Sequence, residues 1–132
     1  MKNIYSLEDI INLDININKP SIIFLNWDLG AWKTTISKHI INNILWKNVD
    51  VTSPTYTYYN KYDDIYHFDL YRLKDYDEFF AIGWEDILDN NVWVIIVEWP
   101  DLIRKYYKSD IEIEVLKTKY DNKREIIIKY NT

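Results

Sequence analysis

Val92-Trp93-Val94-Ile95-Ile96-Val97 is a run of six apolar residues closed by a carboxylate, Glu98. A strand that is apolar on both faces has to be covered on both faces, which is the situation of an inner strand in a helix-flanked sheet. The rest of the chain supplies suitable partners. Ser21 to Leu25 is a second short apolar run with turn residues after it and reads as a buried strand. Lys33 to Trp46 carries Ile36, Ile40, Ile41 and Ile44 on one helical face. Ile65 to Arg72 alternates and reads as a strand, and Val51 to Tyr62 looks extended with an interruption at Pro54. Short helices are expected at Tyr76–Ile82 and Glu85–Leu88. Another is expected from Ser6, as N-cap, to about Leu13, and another from Pro100 to about Tyr107. Ile111–Val115 and Glu125–Tyr130 alternate around the polar turn Lys119–Lys123, the pattern of a hairpin. The sum is an α/β sheet with helices on its faces, one domain over residues 1–132.

Composition narrows the chemistry. With no Cys, disulfides, thiolate metal sites and a cysteine nucleophile are excluded. No apolar run approaches the roughly 18 residues of a membrane span. Met1 to Asp9 lacks the charged-then-apolar order of a signal peptide, so a cytoplasmic location is expected. The net charge of -5 makes the chain a poor stand-alone binder of a phosphate backbone. If RNA is involved, another protein is expected to supply most of the contact.

The stretch Trp27-Asp28-Leu29-Gly30-Ala31-Trp32-Lys33-Thr34-Thr35 lies between a strand and a helix, the context in which a phosphate-binding loop is credible. That loop has the form G-x-x-x-x-G-K-S/T. Its backbone N–H groups face the phosphates, its Lys reaches the terminal phosphates and its hydroxyl binds Mg²⁺. Lys33 and Thr34 fit, whereas positions 27 and 32 carry Trp where Gly is required. Glycine is needed there for positive φ or close approach to the ligand, and an indole at position 32 is expected to project into or beside the phosphate space. The chain holds 2 Gly and 6 Trp, where about 9 Gly would follow from an average usage of about 7%. Trp46 is a third case, since it ends an apolar-periodic helix where Gly is the usual residue. TGA is a stop codon in the standard code, Trp in one variant code and Gly in another. A gene that uses TGA for Gly, translated with the Trp table, would show this pattern. The other explanation is a degenerate loop that no longer binds nucleotide.

With glycine at 27 and 32 the loop reads G-D-L-G-A-G-K-T-T and resembles that of the TsaE family, the ATPase of bacterial threonylcarbamoyladenosine formation in tRNA. Three further segments follow in the family's order. Val51-Thr52-Ser53-Pro54-Thr55-Tyr56-Thr57 looks like its switch segment, Tyr66-His67-Phe68-Asp69-Leu70-Tyr71-Arg72-Leu73 like its HFDxYR strand, and Val97-Glu98-Trp99-Pro100 like its EWP motif. The resemblance runs from about Ile4 to Tyr130 and implies a P-loop ATPase fold with a C-terminal hairpin.

It also implies a division of labour, with ATP and Mg²⁺ as cofactors. Asp28, Leu29, Gly30, Ala31, Trp32, Lys33, Thr34 and Thr35 would hold the nucleotide, with Trp99 packed near it or near a partner. Thr34, Asp69 and Glu98 would serve Mg²⁺. Lys33, Asp69 and Glu98 would carry catalysis, with Glu98 orienting or deprotonating the attacking water. The expected partners are TsaD- and TsaB-type proteins, with tRNA met indirectly through them. From the residues alone Asp69 reads equally well as a Mg²⁺ ligand, direct or through water, and as a strand-end cap or partner of Arg72. Thr52, Ser53 and Thr55 read equally well as a polar turn or as a switch answering the γ-phosphate. His67 reads as a packed strand residue and Trp84 as core; Trp93 is left undecided. Two other functions stand beside the ATPase. One is a binding module on the same fold without nucleotide. The other is a small-molecule kinase, disfavoured because Arg72, Arg104 and Arg124 are scattered and no long insert supplies a lid.

Overall fold

The computed structural model describes residues 2–27, 32–52, 54, 58–81, 83–90 and 93–131. Seven strands form one mixed sheet in the order β1-β7-β6-β2-β5-β4-β3. They are β1 (Lys2–Ser6), β2 (Ser21–Trp27), β3 (Tyr59–Tyr62), β4 (Ile65–Asp69), β5 (Val94–Glu98), β6 (Ile111–Lys117) and β7 (Lys123–Tyr130). The inner four, β6, β2, β5 and β4, run parallel to one another, while β7, β1 and β3 are added antiparallel at the edges. β5 is buried at all of its residues, as its unbroken apolar run requires.

Two apolar layers cover the sheet. On one face Ile36, Ile40 and Ile41 pack over Ile23, Leu25, Ile65, Val94 and Ile96. They come from α1 (Lys33–Lys38) and its continuation in wider, π-type turns over His39–Ile44. On the other face Phe79, Trp84 and Leu88 close over Phe24, Phe68, Ile95 and Val97. These come from α2 (Tyr76–Ala81) and α3 (Trp84–Asp89). Trp84 is 2% exposed and stacks on Phe68 at 4.6 Å, so it is a core residue, as expected.

Several boundaries differ from expectation for local reasons. β1 carries no apolar alternation; it forms because β7 offers an open edge, pairing Ile4 with Glu125. Ser6 therefore ends a strand rather than capping a helix, and its N–H is accepted by the Asp9 carboxylate at 3.3 Å before a short 3₁₀ turn over Glu8–Asn12. The strand expected to reach Arg72 stops at Asp69, whose Oδ1 accepts the Tyr71 N–H at 3.0 Å and turns the chain. The helix expected from Pro100 is a single 3₁₀ turn over Pro100–Leu102 followed by further turns. Trp93 lies before β5 and is 43% exposed, not within a buried strand. Among the described residues between Val51 and Tyr62, only Tyr59–Tyr62 pairs as a strand.

Trp46 follows Leu45, the C-cap of the π-type segment, with φ +58°. Around it Lys47 N–H is accepted by Ile41 O at 3.1 Å and Leu45 N–H by Ile40 O at 2.9 Å. This closure places one left-handed residue just past a helix, where glycine is the usual occupant. The expectation of glycine-type backbone geometry holds at Trp46. It does not hold at Trp32, whose φ of -104° any L-residue adopts.

Candidate functional site at the strand ends

The parallel register brings the candidate residues together. Glu98 pairs with Leu25 of β2 on one side and with Asp69 of β4 on the other. The carboxyl ends of three adjacent strands thus lie side by side, and β2 runs on to Trp27, where the candidate phosphate loop begins. Ligands of open α/β sheets sit in this location. Asp28, Leu29, Gly30 and Ala31 lie outside the described residues, as do Ser53 and Thr55 of the switch segment and the side chains of Trp27 and Lys33. The helix opens at Lys33, with Thr34 exposed and Thr35 half-buried in its first turn.

The two carboxylates are buried to different extents and held differently. Glu98 is 1% exposed and its Oε2 lies 2.5 Å from His67 Nε2. His67 is equally buried, and its Nδ1 has no hydrogen-bond partner among the described residues. Asp69 is 8% exposed; besides accepting from Tyr71, its own N–H is accepted by Tyr58 O at 2.9 Å. The Leu70 N–H is accepted by Glu98 O at 3.1 Å, which ties the two strand ends together just beyond the carboxylates. Sequence reasoning treated His67 as packing and missed its bond to Glu98. The available signal was alternation: Ile65, His67 and Asp69 share one face of β4, toward α1.

The surroundings hold this end of the sheet in place. Arg104 donates to Asn26 Oδ1 at 2.6 Å and pairs with Glu112, joining the end of β2 to β6 and to the segment after β5. Trp99 has left-handed backbone, φ +56° and ψ +58°, and its ring stacks obliquely on exposed Tyr71 at 5.0 Å. The two rings, with Leu70, Leu73, Asp101 and Leu102, line a cavity of about 370 Å³. The Trp32 indole is 5% exposed, packs in the α1-side core and lies under the Arg124 guanidinium at 5.5 Å rather than standing out into solvent. In the switch segment, Thr52 is exposed; its N–H is accepted by Tyr62 Oη at 3.2 Å and its carbonyl accepts from Asn60 at 3.1 Å.

The donor set fits a hard cation. Among the described residues no three His, Asp or Glu side chains gather to hold a metal by themselves. Mg²⁺ is commonly bound by one or two carboxylates together with substrate phosphates and water, which is what Asp69 and Glu98 can offer. Among the described residues no helix is long and apolar enough to cross a membrane.

Known proteins resemble this chain over most of its length. The family model described as threonylcarbamoyl adenosine biosynthesis protein TsaE matches residues 4–126. The Rickettsia typhi tRNA threonylcarbamoyladenosine biosynthesis protein TsaE is 37% identical over 119 residues, covering 86% of this chain and 81% of that one. The Bacillus subtilis protein of the same name is 33% identical over 122 residues, covering 89% and 75%. The crystal structure of Bacillus subtilis YdiB superposes with a TM-score of 0.66 at 26% identity, covering 98% of this chain and 84% of that one. The fold is the P-loop NTPase-like α/β sheet.

Proposed function

The chain belongs to the TsaE family, and from that premise we propose that it binds and hydrolyses ATP in support of tRNA threonylcarbamoyladenosine formation. The observation that carries the reading is the register of Asp69 and Glu98, two buried carboxylates on adjacent strand ends, next to the strand that leads into Lys33 and Thr34. In this reading the backbone N–H groups of residues 27–34 and Lys33 hold the phosphates. Thr34 and Asp69, with Glu98, take Mg²⁺. Bound there, the cation would neutralise charge on the phosphate oxygens. Glu98 orients the attacking water and accepts its proton. The paired rings of Trp99 and Tyr71 follow Glu98 and Asp69 closely in the chain and would pack near the nucleotide or a partner. The acidic chain meets tRNA through TsaD- and TsaB-type partners rather than directly.

The second reading is a binding module without nucleotide. It is favoured by the accommodation of Trp32 in the core at an ordinary φ, since a chain with tryptophan there still packs.

One experiment separates the two. ATP binding and Mg²⁺-dependent hydrolysis are measured for the chain as written and for Trp27→Gly/Trp32→Gly. The ATPase reading expects turnover in the glycine form and a loss of about 100-fold or more in kcat on Asp69→Ala or Glu98→Ala within it. A glycine form that neither binds nor hydrolyses ATP establishes the module instead. Unchanged turnover in the alanine variants removes the roles given to Asp69 and Glu98.

A further inference from the structure

We propose that His67 is the positioning residue for Glu98: its Nε2–H fixes the carboxylate at the end of β5 in the orientation that water activation requires. The inference rests on the reading of Glu98 above and adds a residue to it. His67 pairs in register with Ile96, one step behind the Asp69–Glu98 pair, so its ring reaches Glu98 diagonally across the β4–β5 ladder. The two side chains meet at 2.5 Å, each 1% exposed. Water therefore cannot substitute for either partner, and the carboxylate has lost the rotamers it would sample at a surface.

The neighbourhood makes the imidazole conspicuous. The same layer is built from Ile23, Leu25, Ile65, Val94 and Ile96. Packing alone would be served by another apolar side chain, because an imidazole placed there loses its hydration. What the ring obtains in return is the single bond to Glu98. Nδ1 is buried with no partner among the described residues. A hydrogen on Nδ1 would be an unsatisfied buried donor, so the hydrogen belongs on Nε2, the tautomer that donates to the carboxylate. Partners of this kind, one bond removed from the reacting groups, typically change activity by about 10- to 100-fold when lost.

The test uses the full chain with glycine at 27 and 32. His67→Phe keeps the ring and deletes the donor; His67→Gln places an amide N–H near the Nε2 position. The expected result for Phe is a kcat about 10- to 100-fold lower with the KM for ATP within about twofold, and recovery of most of the rate in Gln. His67→Asn is the smaller counterpart, should the Phe variant fail to fold. Its amide stops short, near the Nδ1 position, so kcat should fall in Asn and not in Gln. Equal rates in all variants, or a parallel loss of kcat and ATP affinity without rescue by Gln, overturn the inference. A second readout needs no ATP. Long-range ¹H–¹⁵N spectra of the ligand-free chain should show His67 as the Nε2–H tautomer, with an Nε2 shift that moves in Glu98→Gln. An Nδ1–H tautomer, or no response to Glu98→Gln, overturns the inference as well. Full turnover in Glu98→Gln removes the parent reading and the positioning role together. An inactive Glu98→Gln beside a fully active His67→Phe removes the positioning role alone.

Discussion

Replacing Trp46 by glycine should make the protein more stable, although it deletes the largest side chain in the repertoire. Trp46 is 85% exposed, so truncation forfeits little buried area. Its backbone stands at φ +58°, fixed by the bonds from Lys47 to Ile41 and from Leu45 to Ile40 that close the preceding helix. A left-handed conformation costs an L-residue about 1–2 kcal/mol, and glycine avoids that cost. Against this, glycine carries greater unfolded-state freedom, worth about 0.5–1 kcal/mol relative to alanine. The net expectation is a gain of about 0.5–1 kcal/mol, or about 2–5 °C in Tm for a chain of this size. Trp46→Ala is the necessary control, because it removes the indole and keeps the Cβ. Urea and thermal unfolding of the three proteins should place Ala near the tryptophan form and Gly above both. If Gly is no more stable than Ala, the left-handed residue is not strained. The case for glycine at position 46 then loses its structural support.

Other consequences follow from the same structure. Asp64 accepts from Lys19 at 2.5 Å and is ion-paired with Lys47 at 2.9 Å, and mainly the Lys19 bond lowers its pKa from 3.8 to about 2 against the opposing effect of burial. Its folded pKa is depressed, so its contribution is present above about pH 4 and lost as pH falls toward 2. Discounted for the exposure of Lys19, Asp64→Asn should cost about 1–2 kcal/mol at pH 7. That gap should close between pH 4 and 2 in urea titrations; a pH-independent gap would refute the assignment. Trp84→Ala should destabilise by about 3–5 kcal/mol, because the indole touches Tyr58, Tyr59, Phe68 and Phe79. A loss under about 1 kcal/mol by calorimetry would mean that this layer of the core is not cooperative. The mass of the peptide spanning residues 20–33 from the source organism reads positions 27 and 32 directly, with glycine masses expected from a TGA-for-glycine gene and tryptophan masses from a degenerate loop.

Much of the architecture was legible in one dimension because burial on both faces leaves a mark in the chain. The apolar run before Glu98 reads as a strand covered on both faces, and the isoleucine spacing after Lys33 as a helix covered on one. The edges were not legible in the same way. β1 has no pattern of its own and exists because β7 leaves donors and acceptors to be satisfied. The end of β4 is decided by Asp69 turning the chain onto Tyr71. Trp46 was identifiable from its place after a helix, since the closing geometry there is local. The burial of Trp32 was not legible, because the seat of its indole depends on space between α1 and the sheet, and no local pattern encodes that space.

The sequence by itself determined the α/β class, the order of the elements and the identity of the two candidate carboxylates, all through periodicity and motifs carried within short segments. That Asp69 and Glu98 stand side by side and that His67 bonds to Glu98 is visible first in the assembled sheet. Those relations depend on the pairing register of β4 with β5, and register is a property of two strands meeting in space that neither strand contains alone.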